Sequence, residues 1–362
     1  MKTRIFKVTD PQDSHIEEVA EIIRGGGIVA IPTETVYGLA ANRDDPSAVK
    51  RLDALKQRPS DKRYTVHIAS RNAVWSYLTE IPPLARFLSR KHWPGPMTLV
   101  LDTASDTTIG LRLPDHDVAR RIIDAACVPV IAPSANPSGK KPAKNTKDVL
   151  AYFDGKIDAV VDSGPAKLGV ASTVVRIKDW RKWRVMRKGA LPQQAFDDEQ
   201  IFILLLVCTG NMCRSPMAEA FFKMAIAESL SLQVRDLEET GIFVLSAGTD
   251  ATAGSPASTH AQSVLLEHGF DLSAHRSRHL QPFMLEDADI IFAMTHYHID
   301  AIKQRTAKKH HHKVKLLHPD TIEDPIGQPL EVYRRIAGKI KDAVKMRLEE
   351  VLSHIPAAKS KS

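Results

Sequence analysis

One stretch constrains the fold of this chain more than any other: Val207-Cys208-Thr209-Gly210-Asn211-Met212-Cys213-Arg214-Ser215-Pro216. It follows the apolar run Ile201 to Val207 and precedes Met217-Ala218-Glu219-Ala220-Phe221-Phe222. The run reads as a buried parallel strand and the segment after it as a helix. Cys208 therefore falls on a strand-to-helix turn, a connection that belongs to α/β architecture. Such a turn points successive backbone N–H groups into one concavity, and the helix N-terminus adds its positive dipole. That environment binds a phosphate dianion and favours a thiolate over a thiol. Arg214 can grip two phosphate oxygens with its planar fork. A thiolate held beneath a phosphorus atom by amides and an arginine is a phosphoryl-transfer nucleophile.

At 362 residues the chain is long enough for two domains. Hydrophobic content of 43% and charged content of 26% are those of a soluble globular protein. No apolar run reaches the roughly 20 residues that span a bilayer. Met1 to Lys7 lacks an apolar signal core, and three cysteines are too few for a disulfide framework. The expected location is the cytoplasm, with no membrane partner. The net charge of +7 is unevenly spread: residues 1–199 hold 31 Lys+Arg against 24 Asp+Glu, and residues 200–362 hold 19 of each. Either the first half presents a solvated basic face, or it has a nucleotide or RNA partner.

A boundary is expected near residue 197, giving domains 1–197 and 201–356, with Asp197 to Gln200 as a short acidic link. Trp180 to Pro192 reads as a last strand entering a turn. Beyond the link, strands are expected at Phe243 to Ser246 and Ala288 to Met294. Helices are expected at His260 to His268 and Pro329 to Leu352, and a frayed tail from Ala357. This alternation predicts a parallel sheet covered on both faces. Lys308 to Lys313, with its three histidines, reads as an exposed basic turn, and no metal site is expected there or elsewhere.

Cys208 to Ser215 resembles the phosphate loop of the low-molecular-weight protein tyrosine phosphatases, and the resemblance extends over nearly all of residues 201–354. It implies a three-layer α/β/α fold with a parallel sheet. It also implies that Cys208 is the nucleophile, that Arg214 holds the phosphoryl group, and that Ser215 stabilises the thiolate. Thr209, Gly210, Asn211, Met212 and Cys213 form the loop, with Asn211 in a left-handed conformation that Asn readily adopts. The family places its general acid in an Asp-Pro pair, here Asp324-Pro325, with Asp320 and Glu323 nearby. Cys213 is expected to cap Cys208 as a reversible disulfide. Phosphoprotein is the implied substrate, with no cofactor. Two features disagree on the leaving group. Tyrosine-directed members carry two aromatic residues after Asp-Pro, where this chain has Ile326-Gly327. Met294 to His298 is similar to the bacterial arginine phosphatase branch, yet that branch has a threonine where Met212 stands, and the apolar Met212 tips the expectation slightly to phosphotyrosine.

Ile31 to Leu39 follows a short apolar strand and resembles the opening signature of the threonylcarbamoyl-AMP synthase family, whose YrdC-like fold is a twisted mixed sheet with helices. Lys56-Gln57-Arg58-Pro59, Val66-His67-Ile68, Trp93 to Thr98, Arg112-Leu113-Pro114, Pro133 to Asn136, Ser172-Thr173-Val174 and Arg187-Lys188-Gly189 continue the resemblance in order over about residues 5–195. It implies condensation of L-threonine, bicarbonate and ATP, with Mg²⁺ accompanying the triphosphate, in the service of tRNA threonylcarbamoylation. The partners implied are tRNA or the other proteins of that pathway. Lys56, Arg58 and Arg187 supply cations for the phosphates, and Arg112 for the threonine carboxylate. Thr33, His67 and Ser172 offer polar contacts to the amino acid; Ser134 and Asn136 offer contacts to the nucleotide. For Thr33, His67 and Ser172 the plainer alternative is that they satisfy turn backbones. An RNA-binding module without synthase activity is the competing class, distinguished by salt-dependent RNA affinity without threonine-dependent ATP turnover.

Overall fold

The computed structural model describes residues 2–57, 63–105 and 107–356. The chain divides into two compact units, one of Met1–Lys178 and Lys182–Glu199, the other of Asp179–Arg181 and Gln200–Ser362.

In the first unit the strands are β1 (Arg4–Lys7), β2 (Val29–Ile31), β3 (Gly38–Asn42), β4 (Thr65–His67), β5 (Met97–Asp102), β6 (Thr108–Arg112), β7 (Val130–Ile131), β8 (Ala159–Asp162), β9 (Thr173–Lys178) and β10 (Lys182–Arg187). They form one mixed sheet in the order β1-β8-β2-β3-β7-β4-β6-β5-β9-β10. The helices are α1 (His15–Arg24), α2 (Pro46–Lys56), α3 (Pro83–His92), α4 (Asp117–Ala126), α5 (Thr146–Phe153) and the single turn α6 (Gln194–Asp197). α1 buries Ile16, Val19, Ala20 and Ile23, the spacing of one helix face. That face joins Val118, Ala119, Ile122 and Ile123 of α4 and Val29 and Ile31 of β2 in one apolar cluster. α2 starts where the Asp45 side chain accepts from the Ser47 and Ala48 N–H groups, with Pro46 preset for the first turn. It delivers Lys56 at its last residue. The parallel pairing of β4 with β6 sets His67 opposite Arg112.

The second unit carries β11 (Phe202–Cys208), α7 (Arg214–Ser229), β12 (Ile242–Gly248), α8 (Thr259–Glu267), α9 (Pro282–Asp287), β13 (Ile290–Ala293), α10 (His296–Arg305), β14 (Val314–Leu316) and α11 (Leu330–His354). The sheet order is β12-β11-β13-β14, and every pair is parallel. All seven residues of β11 and all seven of β12 are buried. Successive side chains point to opposite faces, so both faces of the sheet are covered, as the alternating pattern predicts. Phe202, Leu204 and Leu206 share a core with Met217 and Phe221 of α7, Val264 of α8 and Ile336 and Ile340 of α11. β11 runs one residue further than the apolar run suggests, placing Cys208 at the strand's end. The basic segment Lys308–Lys313 is a short 3-10 turn with no buried residue.

Candidate active sites

In the second unit Thr209 to Cys213 form the loop between β11 and α7. Asn211 organises it. Its φ of 54° is left-handed, and its side chain is fully buried. Nδ2 donates to Ser215 Oγ at 2.9 Å and Ser246 Oγ at 2.8 Å, while Oδ1 accepts from Arg278 N at 2.9 Å. The Asn211 N–H donates to Cys208 Sγ at 3.3 Å, and Ser215 Oγ lies 3.0 Å from the same sulfur. Ser215 already accepts from Asn211, which leaves its hydroxyl proton for the sulfur. Ser246 passes its own proton to Glu219 Oε2 at 2.6 Å. Burial works against the charged form of Glu219, but Lys223, 2.5 Å away, and then Arg278 hold its carboxyl below the ordinary range. Gly248 is required by close approach: a Cβ there would lie 2.2 Å from Thr209 O and 3.0 Å from Asn211 N.

Arg214, the first residue of α7, is buried, and its guanidinium is held from three sides. Nη1 donates to Ile322 O at 3.1 Å, Nη2 donates to Thr209 Oγ1 at 3.3 Å, and Nη2 forms an ion pair with Asp324. The Asp324 side chain is 36% exposed, so it stands between the arginine and solvent. Cys213 is a buried free thiol whose sulfur lies 3.2 Å from Ser258 Oγ and 3.3 Å from Tyr333 Oη, and burial pushes its pKa up. Met212 packs against the apolar core. Tyr297 and Ile326 are 69% and 58% exposed and adjoin, in sequence, His298 and Pro325.

The first unit contains a cavity of about 330 Å³ lined by Thr33, Lys56, His67, Arg112, Ser134, Ser172 and Arg187 among others. Asn136 does not line it: its Nδ2 donates to the carbonyls of Pro137 and Lys140. Arg58 lies outside the described residues. Lys56 Nζ donates to the carbonyls of Ser134 and Asn136, pinning that loop to the end of α2. Arg112 Nη2 donates to Glu34 Oε1 at 2.8 Å and Thr35 Oγ1 at 2.6 Å, a buried ion pair that leaves Nε without a partner. The Thr33 hydroxyl donates to Val36 O at 2.6 Å, so it serves its own turn as well as facing the cavity. Ser172 Oγ lies 2.9 Å from Thr98 Oγ1, and Arg187 Nη2 donates to Ser172 O at 2.8 Å. His67 differs from all of these. It is buried, and neither ring nitrogen makes a well-formed hydrogen bond. Burial, then the charge of Arg112, push its pKa down to about 3, so the imidazole is neutral and offers one donor and one acceptor.

Sequence reasoning did not single out Glu34, Thr98, Glu219, His298 or Tyr333. Glu34 stands inside the Ile31 to Leu39 signature, but its partner is 78 residues away. Among the described residues no group of three or more His, Cys, Asp or Glu side chains is placed to hold a metal ion, and no helix is long and apolar enough to cross a membrane.

Fold and sites define two α/β units, one with a cation-lined cavity and one with a thiol at the head of a strand-to-helix loop. Residues 21–189 match the Sua5/YciO/YrdC family model, described as telomere recombination, and residues 203–356 match the low molecular weight phosphotyrosine protein phosphatase family. The threonylcarbamoyl-AMP synthase of Pyrococcus abyssi is 40% identical over 191 residues, 50% of this chain and 56% of that protein. The chain thus spans little more than half the length of that relative. The threonylcarbamoyl-AMP synthase of Cellvibrio japonicus is 35% identical over 181 residues, 48% of this chain and 94% of that protein. The crystal structure of P. abyssi Sua5 complexed with L-threonine superposes with a TM-score of 0.51 at 28% identity, covering 68% of this chain and 92% of that one. The chain belongs to the threonylcarbamoyl-AMP synthase family through its first half and joins to it a domain of the low-molecular-weight phosphatase family.

Proposed function

We propose that the first unit forms threonylcarbamoyl-AMP from L-threonine, bicarbonate and ATP for tRNA modification. The second unit hydrolyses phosphoprotein through a phosphocysteine, with phosphotyrosine favoured. The observation that supports the first reading is the unpartnered, neutral His67 beside Arg112, Lys56 and Arg187 in one cavity. Polyphosphate needs several cations around it, and Lys56, Arg63 and Arg187 are described residues that line the cavity. Mg²⁺ would arrive with the triphosphate as part of the substrate. His67 and the free Nε of Arg112 remain for the amino acid. Lys56→Ala is expected to abolish pyrophosphate release that depends on threonine and bicarbonate.

The second reading is supported by the groups gathered on Cys208 Sγ. The Asn211 N–H and Ser215 hydroxyl face the sulfur, with Arg214 beside them at the start of α7. Cys208 Sγ attacks phosphorus as the phosphorus–oxygen bond to the leaving group breaks. Asp324, taking the proton that the phosphate monoanion brings as it displaces the carboxylate from Arg214, gives it to that oxygen, then takes one from the water that hydrolyses the phosphocysteine. Asp324 is paired with Arg214, so an incoming phosphate replaces a carboxylate on the guanidinium. Apolar Met212 and exposed Tyr297 and Ile326 favour an aromatic leaving group over a guanidinium, whose burial without partners costs about 1–3 kcal/mol. Phosphopeptides bearing phosphotyrosine or phosphoarginine test this, and Met212→Thr is expected to move the preference toward phosphoarginine. Phosphoarginine turnover at least about tenfold more efficient in the unmodified chain, roughly 1.4 kcal/mol, overturns the tyrosine preference.

A further inference from the structure

His298 is buried, 2% exposed, in the first turn of α10. Both ring nitrogens are engaged. Nδ1 lies 2.7 Å from Oγ1 of Thr295, the cap residue of that helix, and Nε2 lies 3.0 Å from Thr209 Oγ1. Thr209 follows the nucleophile, and its Oγ1 also accepts from Arg214 Nη2. What each group can give limits the direction of this chain at the Arg214 end. A guanidinium donates and never accepts, and a hydroxyl has a single proton. With one lone pair committed to Arg214, Thr209 Oγ1 keeps its proton and a second lone pair, and His298 Nε2 is the ring nitrogen within reach of that proton. Burial, then the charge of Arg214, push the His298 pKa down to about 4, with Asp324 acting the other way. The ring therefore carries one proton near neutral pH. If Nε2 accepts, that proton is on Nδ1 and goes to Thr295 Oγ1.

We propose that His298 is a positioning residue of the phosphatase centre: by accepting the Thr209 hydroxyl proton it turns a Thr209 lone pair onto Arg214 and fixes the guanidinium. The inference rests on the phosphatase reading of the second unit. Its consequence is greatest in the turnover complex. Once phosphate has displaced Asp324, Thr209 and the Ile322 carbonyl remain as holds on Arg214. His298 touches no substrate atom, so its loss lowers kcat through Arg214 and leaves KM nearly alone.

The test uses the full chain and p-nitrophenyl phosphate. Long-range ¹H–¹⁵N spectra at neutral pH read the His298 tautomer in the unmodified protein, with expected protonation at Nδ1. His298→Leu and Thr209→Val are each expected to lower kcat about tenfold, the scale of one lost hydrogen bond in a charged chain. The double variant should lose no more than the worse single one. Thr209→Ser should recover most of what Thr209→Val loses. An Nε2-protonated ring, unchanged kcat in His298→Leu, or losses that multiply to about a hundredfold in the double variant overturn the proposal. Should His298→Leu fail to fold, the tautomer and the Thr209→Val and Thr209→Ser pair still decide. Absence of Cys208-dependent turnover in the unmodified chain refutes the phosphatase reading instead, and the tautomer remains readable.

Discussion

Acidification from pH 7.5 to 4.5 forces a choice at His67. In the folded chain its pKa is about 3 against an ordinary 6.5, because burial and the neighbouring Arg112 oppose a second proton. A depressed folded pKa contributes stability that is complete above about pH 6.5 and is lost as pH falls toward 3. At pH 4.5 the unfolded chain has taken up the proton and the folded chain has not. Two pH units below the unfolded value cost about 3 kcal/mol at roughly 1.4 kcal/mol per unit. His67→Asn cannot titrate and escapes this loss, while every other ionisable group is shared. Urea unfolding followed by tryptophan fluorescence reads the difference, since Trp75, Trp93 and Trp183 all belong to the first unit. Between pH 7.5 and 4.5 the unmodified protein should lose about 3 kcal/mol more than His67→Asn. Equal losses within about 0.5 kcal/mol would refute the picture of a neutral, buried and unpartnered imidazole in the cavity.

Three further substitutions probe the second unit. Cys208→Ser should eliminate turnover of p-nitrophenyl phosphate while inorganic phosphate still binds, because the loop amides and Arg214 remain; equilibrium binding of phosphate checks this. Cys213→Ser should keep turnover and lose reversible protection from peroxide; a variant as dead as Cys208→Ser would show the two roles to be reversed. Gly248→Ala drives a Cβ toward Thr209 O and should cost about 1–3 kcal/mol of stability, with weaker phosphate binding. Thermal unfolding and phosphate titration measure it, and unchanged values would mean that the loop moves aside freely.

The second unit was largely legible in the sequence because its signals are local. The run into Cys208 carries strand character in consecutive residues, and Asn211 is a residue type suited to the left-handed φ it adopts. The expected helix from Pro329 to Leu352 differs from α11 by one residue at the start and two at the end. In the first unit the sheet order was not legible. β1 pairs with β8, so Arg4 lies against Ala159, and nothing in a short window encodes such a pairing. Site residues followed the same division. The loop from Thr209 to Cys213 is contiguous, but Arg112 meets Glu34 and Thr209 meets His298 only through folding. An expected contact to threonine from Arg112 could be drawn from the family resemblance; that Glu34 already occupies one edge of the guanidinium could not. The basic excess of residues 1–199 is equally silent, since charge counts do not say which lysines and arginines are engaged with neighbours, as Lys56 and Arg187 are.

The central claim is that one chain carries two active sites of different chemistry. Pyrophosphate release from ATP, with and without L-threonine and bicarbonate, tests it most directly when run beside p-nitrophenyl phosphate hydrolysis on the same preparations. The unmodified chain should release pyrophosphate only when both co-substrates are present. Lys56→Ala should lose that release and keep the hydrolysis, and Cys208→Ser should do the reverse. Pyrophosphate release that ignores threonine, or that survives undiminished in Lys56→Ala, would contradict the synthase site, and hydrolysis that survives in Cys208→Ser would contradict the other.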